Sequence, residues 1–208
     1  MKKLLTVLFA LVLVFVYMAP QANAQGLTAK GVVAGLNMAK VAGDDVDFGT
    51  IEPSNRMGFA AGVFLNVSLN DNLAFRPEVL YSQHGAKYEQ GGNSIILKVD
   101  AIDIPLLFQY TFSMDGSISP FILVGPYAAY ILSAKIGYDI TGMDLDDEDV
   151  KDTIKDLDFG VMFGIGALIS GQFELSARYQ MGLITLDDTD TEADMKNATI
   201  QIIAGFRF

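Results

Sequence analysis

The sequence lacks cysteine and tryptophan, and it contains a single histidine and few basic residues. Without cysteine, disulfide bonds and thiol chemistry are excluded. The 25 acidic residues outnumber the 14 basic ones and give a net charge of −11. Nucleic acid is therefore disfavoured as a partner, because its phosphates would be repelled. Beyond the N-terminal segment no apolar run approaches the length of a membrane-spanning helix, so a mature chain that enters a membrane must cross it with strands.

The N-terminal segment predicts export. Two lysines precede the apolar run Leu4–Met18, and Ala22–Ala24 form an A-x-A cleavage motif. This arrangement is typical of a secretory signal peptide, here residues 1–24. A retained anchor is the alternative, although the run is short for a span of about 20 residues. Removal of the segment leaves residues 25–208 with 12 basic and 25 acidic residues, a net charge of −13.

The mature chain consists of segments in which apolar and polar residues alternate, the period of β-strands. Eight strands are predicted, near residues 27–38, 57–69, 73–84, 96–112, 120–134, 157–170, 173–186 and 197–208. Short breaks at 70–72, 113–119 and 170–172 alternate with long breaks at 39–56, 85–95, 135–156 and 187–196. An even strand count with alternating short turns and long loops is the pattern of bacterial outer-membrane barrels. The sequence thus predicts one all-β domain, an eight-stranded antiparallel up-and-down transmembrane β-barrel.

The polar faces of these strands are mostly Gly, Ser and Gln, which suit the crowded interior of a small barrel. A soluble lipocalin-like barrel would place the apolar faces inside instead, but its exterior would need many charged residues. We therefore expect the apolar faces to contact lipid. Five charged residues on polar faces are predicted to form an ion-pair network in the lumen, because buried charges persist only when paired. They are Arg76, Glu78, Glu174, Arg178 and Arg207.

Aromatic residues concentrate near the strand ends, as in the two girdles of membrane barrels. The loop-side girdle is predicted to contain Tyr81, Tyr88, Tyr130 and Tyr138, and the turn-side girdle Phe75, Phe112, Phe121, Phe173 and Phe208. The last strand ends on an aromatic, as many outer-membrane barrels do. Phe206 and Phe208 are therefore predicted to be the signal that the barrel assembly machinery recognises.

Four short motifs resemble the PorT-like family of small outer-membrane β-barrels. They are Gly31–Asn37 (GVVAGLN), Phe75–Tyr81 (FRPEVLY), Ile102–Leu107 (IDIPLL) and Gly125–Tyr127 (GPY). Their order and spacing cover essentially the whole mature chain. The resemblance implies a small barrel in the bacterial outer membrane, in a family where most members have no assigned activity. Val33 stands where the family pattern G-x-K-x-G has a lysine.

The predicted loops are strongly acidic, with nine acidic residues between Asp139 and Asp158. Carboxylates of this kind are ligands that Ca²⁺ accepts, and the candidates are Asp144, Asp146, Asp147, Glu148 and Asp149. The run lacks the spacing of an EF-hand loop, and a solvated loop is the simpler interpretation. Divalent cations that bridge to lipopolysaccharide phosphates, and a protein partner at these loops, are further hypotheses.

Catalysis is not expected, and neither is a cofactor. His84 lies near the outer end of its strand beside Ser82, but none of the local motifs of a hydrolase accompanies it. The sequence therefore predicts a structural or interaction protein of the outer membrane, in contact with lipid and lipopolysaccharide. A small pore is the first alternative, and a rim enzyme that acts on lipid is the second.

Overall fold

The computed structural model describes residues 27–42, 52–90, 93–140, 143–144, 147–187 and 195–208. The predicted signal peptide lies outside the described residues. Eight long strands form the barrel: β1 (Leu27–Ala42), β3 (Arg56–Ser68), β4 (Leu73–Gln90), β5 (Asn93–Thr111), β6 (Ile118–Ile140), β9 (Leu157–Ile169), β10 (Phe173–Gly182) and β11 (Lys196–Arg207). The loops add three short strands and one 3-10 turn: β2 (Glu52–Ser54), β7 (Met143–Asp144), β8 (Glu148–Asp149) and Lys151–Thr153.

The long strands form a closed ring. Each pairs antiparallel with the next long strand along the chain, from β1–β3 through to β10–β11. The first and last strands then pair with each other, with Gly31 opposite Arg207 and Ala42 opposite Lys196. The predicted eight-stranded up-and-down barrel is confirmed. In the described part of the chain, no helix has the length and hydropathy of a membrane span.

Four strands continue further on the loop side than the sequence predicted, and the first of them, β1, runs to Ala42 instead of ending at residue 38. Residues 85–95 were expected to form a loop, yet β4 runs to Gln90 and β5 begins at Asn93. Likewise β6 continues to Ile140, within the predicted loop 135–156. Gly85 lies in this region and has a φ of 127°, a value that favours glycine. It nevertheless stays in β4 and pairs with Lys98 of β5. The strand end predicted at residue 186 is also wrong, because β10 ends at Gly182.

The exposed surface of the barrel is apolar. Along β10 exposed and buried residues alternate strictly, with Leu175 53% exposed and Ser176 3% exposed. On β9, Phe163 and Ile165 are 48% and 67% exposed. A soluble barrel would bury these side chains, because exposed apolar area in water is unfavourable at about 25 cal/mol per Å². The prediction that the apolar faces point outward is confirmed, and the lipocalin-like alternative is wrong.

Two of the inward-facing aromatic rings cover glycines on neighbouring strands. Phe64 lies opposite Gly31 and Phe121 opposite Gly166. A Cβ atom on either glycine would come within 2.6 Å and 2.5 Å of the respective ring. Phe121 was predicted to belong to the turn-side girdle. That assignment is wrong, because Phe121 is one of the inward-facing residues of β6. Its side chain lies in the lumen, and the residue is 1% exposed.

The predicted loop-side girdle also needs correction. Tyr88 and Tyr138 both pair with Ile95, in the part of β4, β5 and β6 that projects beyond the barrel. Both tyrosines lie several residues nearer the loop ends of the strands than Tyr81 does, and therefore beyond the edge of the apolar band. Burial in this projecting sheet raises the pKa of Tyr88. The strands β4 and β6 are longer than predicted and carry both tyrosines away from the band.

Candidate functional site: the filled lumen

The turn-side half of the lumen contains a continuous ion-pair network. Glu78 accepts from Nε of Arg76 at 2.5 Å and from Nη1 of Arg178 at 2.7 Å. Glu174 accepts from Nη2 of Arg76 at 2.5 Å and from Nε of Arg207 at 3.0 Å. The structure thus brings together all five residues that the sequence places in this network. Three guanidiniums and two carboxylates leave one excess positive charge.

Neutral groups complete the coordination of these charges. The side-chain oxygen of Gln109 accepts from Arg76 at 3.2 Å and from Arg207 at 3.3 Å. The hydroxyl of Ser176 accepts from Arg178 at 3.1 Å. The ring of Phe64 lies 3.8 Å from the guanidinium carbon of Arg76, a cation–π distance. Arg76, Arg178 and Glu78 have no exposed side-chain surface, whereas the Arg207 side chain at the turn end of the network is 12% exposed.

A second polar cluster lies nearer the loops. Nε2 of His84 is 3.0 Å from the Asp103 carboxylate, and Nδ1 is 3.1 Å from the Thr199 hydroxyl. These contacts join β4, β5 and β11 across the interior. In the same region Tyr127 donates to Asp158 at 2.8 Å. The sequence predicts the place of His84 on its strand, but not its contacts with Asp103 and Thr199.

The chain of hydroxyl, imidazole and carboxylate has the order of a catalytic triad, yet its burial argues for a structural role. His84 is 4% exposed, and Asp103 and Thr199 are fully buried. A substrate would have to enter the barrel interior to reach the hydroxyl. The hydroxyl of Thr199 also donates to Asn197 at 3.0 Å. Ser82, the neighbour noted in the sequence, is fully buried beside them.

An apolar cluster closes the loop end of the barrel. Ile154 and Leu186, from loops on either side of β9 and β10, are 8% and 5% exposed. They pack against inward-facing residues of β5 and β6, and these are Leu97, Val99, Ala101, Tyr127, Ala129, Ile131 and Ala134. The loop residues are held in place by backbone hydrogen bonds, including Lys155 N to Leu186 O at 2.9 Å. We call this cluster the apolar cap.

Two further apolar clusters occupy the rest of the lumen. One contains Leu107, Phe121, Leu123 and Met162. The other contains Val33, Ala60, Phe64, Leu80 and Ile203. Val33, where the family pattern has a lysine, is 3% exposed within the second cluster. Across the described residues, side chains thus occupy the lumen from the ion-pair network to the apolar cap, with a small cavity beside His84 and Asp158 below the cap.

The acidic residues considered as calcium ligands are spread over separate contacts. Asp147 pairs with Lys98 at 2.8 Å, and Asp149 accepts from the backbone of Lys151 at 3.0 Å. Asp144 lies in β7, and Asp146 falls outside the described residues. Among the residues that the structure describes, no three acidic or imidazole side chains converge as a metal site would require.

The predicted assembly residues lie in a small aromatic group at the turn end. The rings of Phe206 and Phe173 are 5.1 Å apart, and those of Phe206 and Phe208 are 6.4 Å apart. The ammonium of Lys30 lies 5.7 Å from the Phe208 ring. Phe173 and Phe208 are 56% and 64% exposed, so this group belongs to the lipid-facing surface.

A closed antiparallel barrel with an apolar exterior and a polar, ion-paired interior defines the class of outer-membrane β-barrels. Residues 21–188 match the family model described as outer membrane protein beta-barrel domain. The chain therefore belongs to the outer membrane protein beta-barrel domain family. Membership in this family implies the bacterial outer membrane as the location.

Several solved structures are similar in fold. Ail, the attachment invasion locus protein of Yersinia pestis, is 18% identical, with 88% of this chain and 99% of Ail covered and a TM-score of 0.42. Neisserial surface protein A is 14% identical, with 88% and 100% covered and a TM-score of 0.49. The outer membrane enzyme PagL is 14% identical, with 84% and 97% covered and a TM-score of 0.45. Curated protein sequences gave no match.

Proposed function

We propose that this protein is a non-conducting, non-enzymatic outer-membrane barrel whose extracellular loops contact a partner. The observation that carries the proposal is the filled lumen: an ion-pair network, a His84 cluster and an apolar cap follow one another along the barrel axis. A lumen without a water-filled path cannot conduct solutes. The barrel then serves as a membrane anchor, and the loops are the part that faces other molecules.

The pore alternative requires a route past several buried side chains. Arg178 and Glu78 meet in the turn-side half, and Ile154 and Leu186 close the loop side. The rim-enzyme alternative requires an accessible nucleophile, whereas Thr199 is fully buried. The wild type should therefore show no lipid-modifying activity, and His84→Gln should not change that result. Lipid modification that depends on His84 would overturn the non-enzymatic part of the proposal.

The finer assignment to PorT-like barrels is also a proposal. It is supported by the motif Gly31–Asn37 in β1 and by Phe75–Tyr81 in β4. Recognition by the barrel assembly machinery is proposed through Phe206 near the end of β11 and Phe208 just after it, whose rings lie 6.4 Å apart. Export through the signal peptide 1–24 completes this part of the proposal.

The loops are proposed to meet lipopolysaccharide and a protein partner. Glu148 and Asp152 are exposed on the loop side of the barrel. Their negative charge favours a basic surface, or an anionic one bridged by divalent cations. The loops of this class of barrel face the exterior of the cell, so the partner would be extracellular or at the outer leaflet.

Site-specific photocrosslinking in intact cells tests the interaction. A photoreactive residue at position 148 or 152 should capture a protein reproducibly, whereas the lipid-facing control Ile165 should capture lipid. A second control at Leu107, which is fully buried, should crosslink only within the chain. Absence of protein adducts from both loop positions would contradict the interaction role.

A further inference from the structure

One buried carboxylate in the lumen is only partly hydrogen-bonded. Asp158, on β9, is 2% exposed, and its Oδ2 accepts from the hydroxyl of Tyr127 at 2.8 Å. Its other oxygen, Oδ1, is buried and has no hydrogen-bond partner. In the ion-pair network, by contrast, Glu78 and Glu174 each contact two guanidiniums. Asp158 therefore lacks the partners that usually accompany a buried charge.

The histidine of the same cluster does not supply the missing positive charge. The hydroxyl of Thr199 has one proton and donates it to Asn197 at 3.0 Å, so it accepts from Nδ1 of His84. Nε2 of His84 faces both oxygens of Asp103, at 3.0 Å and 3.2 Å. A second proton must lie between Nε2 and this carboxylate, because two acceptors cannot face each other. The His84–Asp103 pair is therefore neutral as a whole.

The other groups around Asp158 do not supply a positive charge either. Arg56, on β3, directs its guanidinium to the backbone carbonyls of His84 and Val99. Within the described residues, β1 and β11 present neutral side chains to this region, such as Val41 and Asn197. The titratable side chains near the Asp158 carboxylate are thus His84 of β4, Asp103 of β5 and Tyr127 of β6.

The small cavity below the apolar cap adjoins this carboxylate. His84, Asp158 and Asn197 form its polar side, and Leu186 of the cap forms part of its apolar side. The cavity is about large enough for a single water molecule. If Asp158 is ionised, its Oδ1 needs a hydrogen-bond donor that the surrounding side chains do not provide. Water that enters beside Leu186 would provide it.

The apolar cap is attached to the barrel next to this cavity. Leu186 donates its N–H to the Met195 carbonyl at 2.7 Å, and Lys155 donates to the Leu186 carbonyl at 2.9 Å. The carbonyl of Asp156 accepts from the backbone of Ile131 at 2.8 Å. Asp158 follows Asp156 by two residues in the chain. A change in the hydration of Asp158 therefore acts on the segments that hold the cap.

We propose that Asp158 is a proton-operated latch of the apolar cap. While Asp158 carries its proton, the cavity stays closed and the cap stays packed. Release of the proton to solvent leaves a buried carboxylate, which draws water to Oδ1 and lifts Ile154 and Leu186 from the barrel end. This latch goes beyond the proposed function. The ion-pair network still occupies the turn-side half, so a lifted cap admits water to the His84 cluster without opening a path through the barrel.

The chain has no cysteine, so a single introduced thiol can report on the cap. Ala134, which is fully buried in the cap, is changed to Cys in the mature protein in detergent. Its rate of reaction with a water-soluble thiol reagent is divided by the rate for Ser117→Cys, at an exposed turn position. This ratio removes the reagent's own dependence on pH. Ala101→Cys, in the same apolar cluster, repeats the measurement.

The pH dependence of this ratio has a defined form. Because the latch releases one proton, the ratio should rise about tenfold for each unit of pH until it levels off. The measurement covers the range from about pH 4 to about pH 9. A ratio that stays constant over this range at both buried positions would overturn the proposal.

Two variants identify the carboxylate that is responsible. Asp158→Asn keeps the shape of the side chain but has no proton to release, so the buried thiol should react slowly at every pH. Asp156→Asn is the matched control, because it removes an exposed carboxylate two residues away and should keep the wild-type profile. Each variant is first shown to be a folded barrel by its faster migration on gels when unheated. A profile that persists in Asp158→Asn, or that is lost in Asp156→Asn, would overturn the latch.

NMR of the single histidine separates Asp158 from His84 as the group that titrates. Isotope labelling of the histidine nitrogens gives the signals of one imidazole. Both nitrogens of His84 should keep their protonation state over the pH range in which the thiol ratio rises. Loss of a ring proton over that range would assign the switch to His84 and would overturn the latch. Channel activity would overturn the non-conducting barrel, but it would leave these results standing.

Discussion

Arg178 and Glu78, one hundred residues apart in the sequence, meet across the barrel interior at 2.7 Å. Neither side chain has any exposed surface. Glu78 is also held by Arg76, so its carboxylate lies between two guanidiniums. This contact joins β4 to β10, which are not neighbours in the sheet. The ion-pair network therefore acts as a crosslink between opposite walls.

Substitution of Glu78 should cost more stability than substitution of Arg178. Glu78→Gln removes the carboxylate that both Arg76 and Arg178 use, and should lower the free energy of unfolding by about 3–5 kcal/mol. Arg178→Gln leaves Glu78 paired with Arg76 and should cost less. Urea unfolding in detergent micelles measures both. Unfolding of Glu78→Gln like the wild type would show that water enters the network.

The double change should reveal coupling between the pair. Glu78→Gln with Arg178→Gln leaves no unpaired charge at this contact, and Arg76 keeps its bond to Glu174. The double variant should therefore lose less stability than the two single changes added together. Lys87→Gln with Glu78→Gln provides the control, because Lys87 pairs with Glu89 on the loop side, outside the network. Strict additivity in the first pair would mean that Arg178 and Glu78 do not interact.

Replacement of Gly31 should disturb the network indirectly. A Cβ atom there would lie 2.2 Å from the backbone oxygen of Phe206 and 2.6 Å from the ring of Phe64, the ring that packs against Arg76. Gly31→Ala should therefore destabilise the barrel in the same unfolding assay. Gly182→Ala is the control, since its Cβ would come no closer than 3.0 Å to any atom and its near neighbours, Asn197 and Asp158, lie outside the network. Equal stability of the two variants would contradict the proposed packing of Phe64 on Gly31.

The aromatic pair on β11 should affect assembly rather than final stability. Phe206→Ala/Phe208→Ala should leave exported but protease-sensitive protein, if these rings are what the assembly machinery recognises. The purified double variant should still refold in detergent, because both rings lie on the outer surface. The control is Phe163→Ala, an exposed aromatic outside the β11 group. Normal assembly of the double variant in cells would place the signal elsewhere.

The sequence predicts the barrel well where each strand has one polar and one apolar face. Strand β10 shows this most clearly, and the five network residues were identified from such faces. Strand β5 is harder, because β-branched and leucine residues occur on both of its faces. Asp103, between Ile102 and Ile104, is the sign in the sequence of a lumen-facing position, and it is fully buried.

The apolar cap could not be predicted from local pattern. Ile154 and Leu186 lie in acidic loops, where an isolated apolar residue has no periodicity to reveal its partner. The strand extensions were missed for a related reason. Residues 85–95 lack a regular alternation, but strand pairing between β4 and β5 outweighs this local signal.

Conductance in planar lipid bilayers tests the central claim most directly. The wild-type barrel, reconstituted from detergent after its folded state is checked by gel mobility, should give no current steps at any applied potential. The buried Arg178–Glu78 pair and the apolar cap around Ile154 and Leu186 are the reasons for this expectation. Reproducible single-channel steps from the folded wild type would contradict the filled lumen and would establish the pore instead.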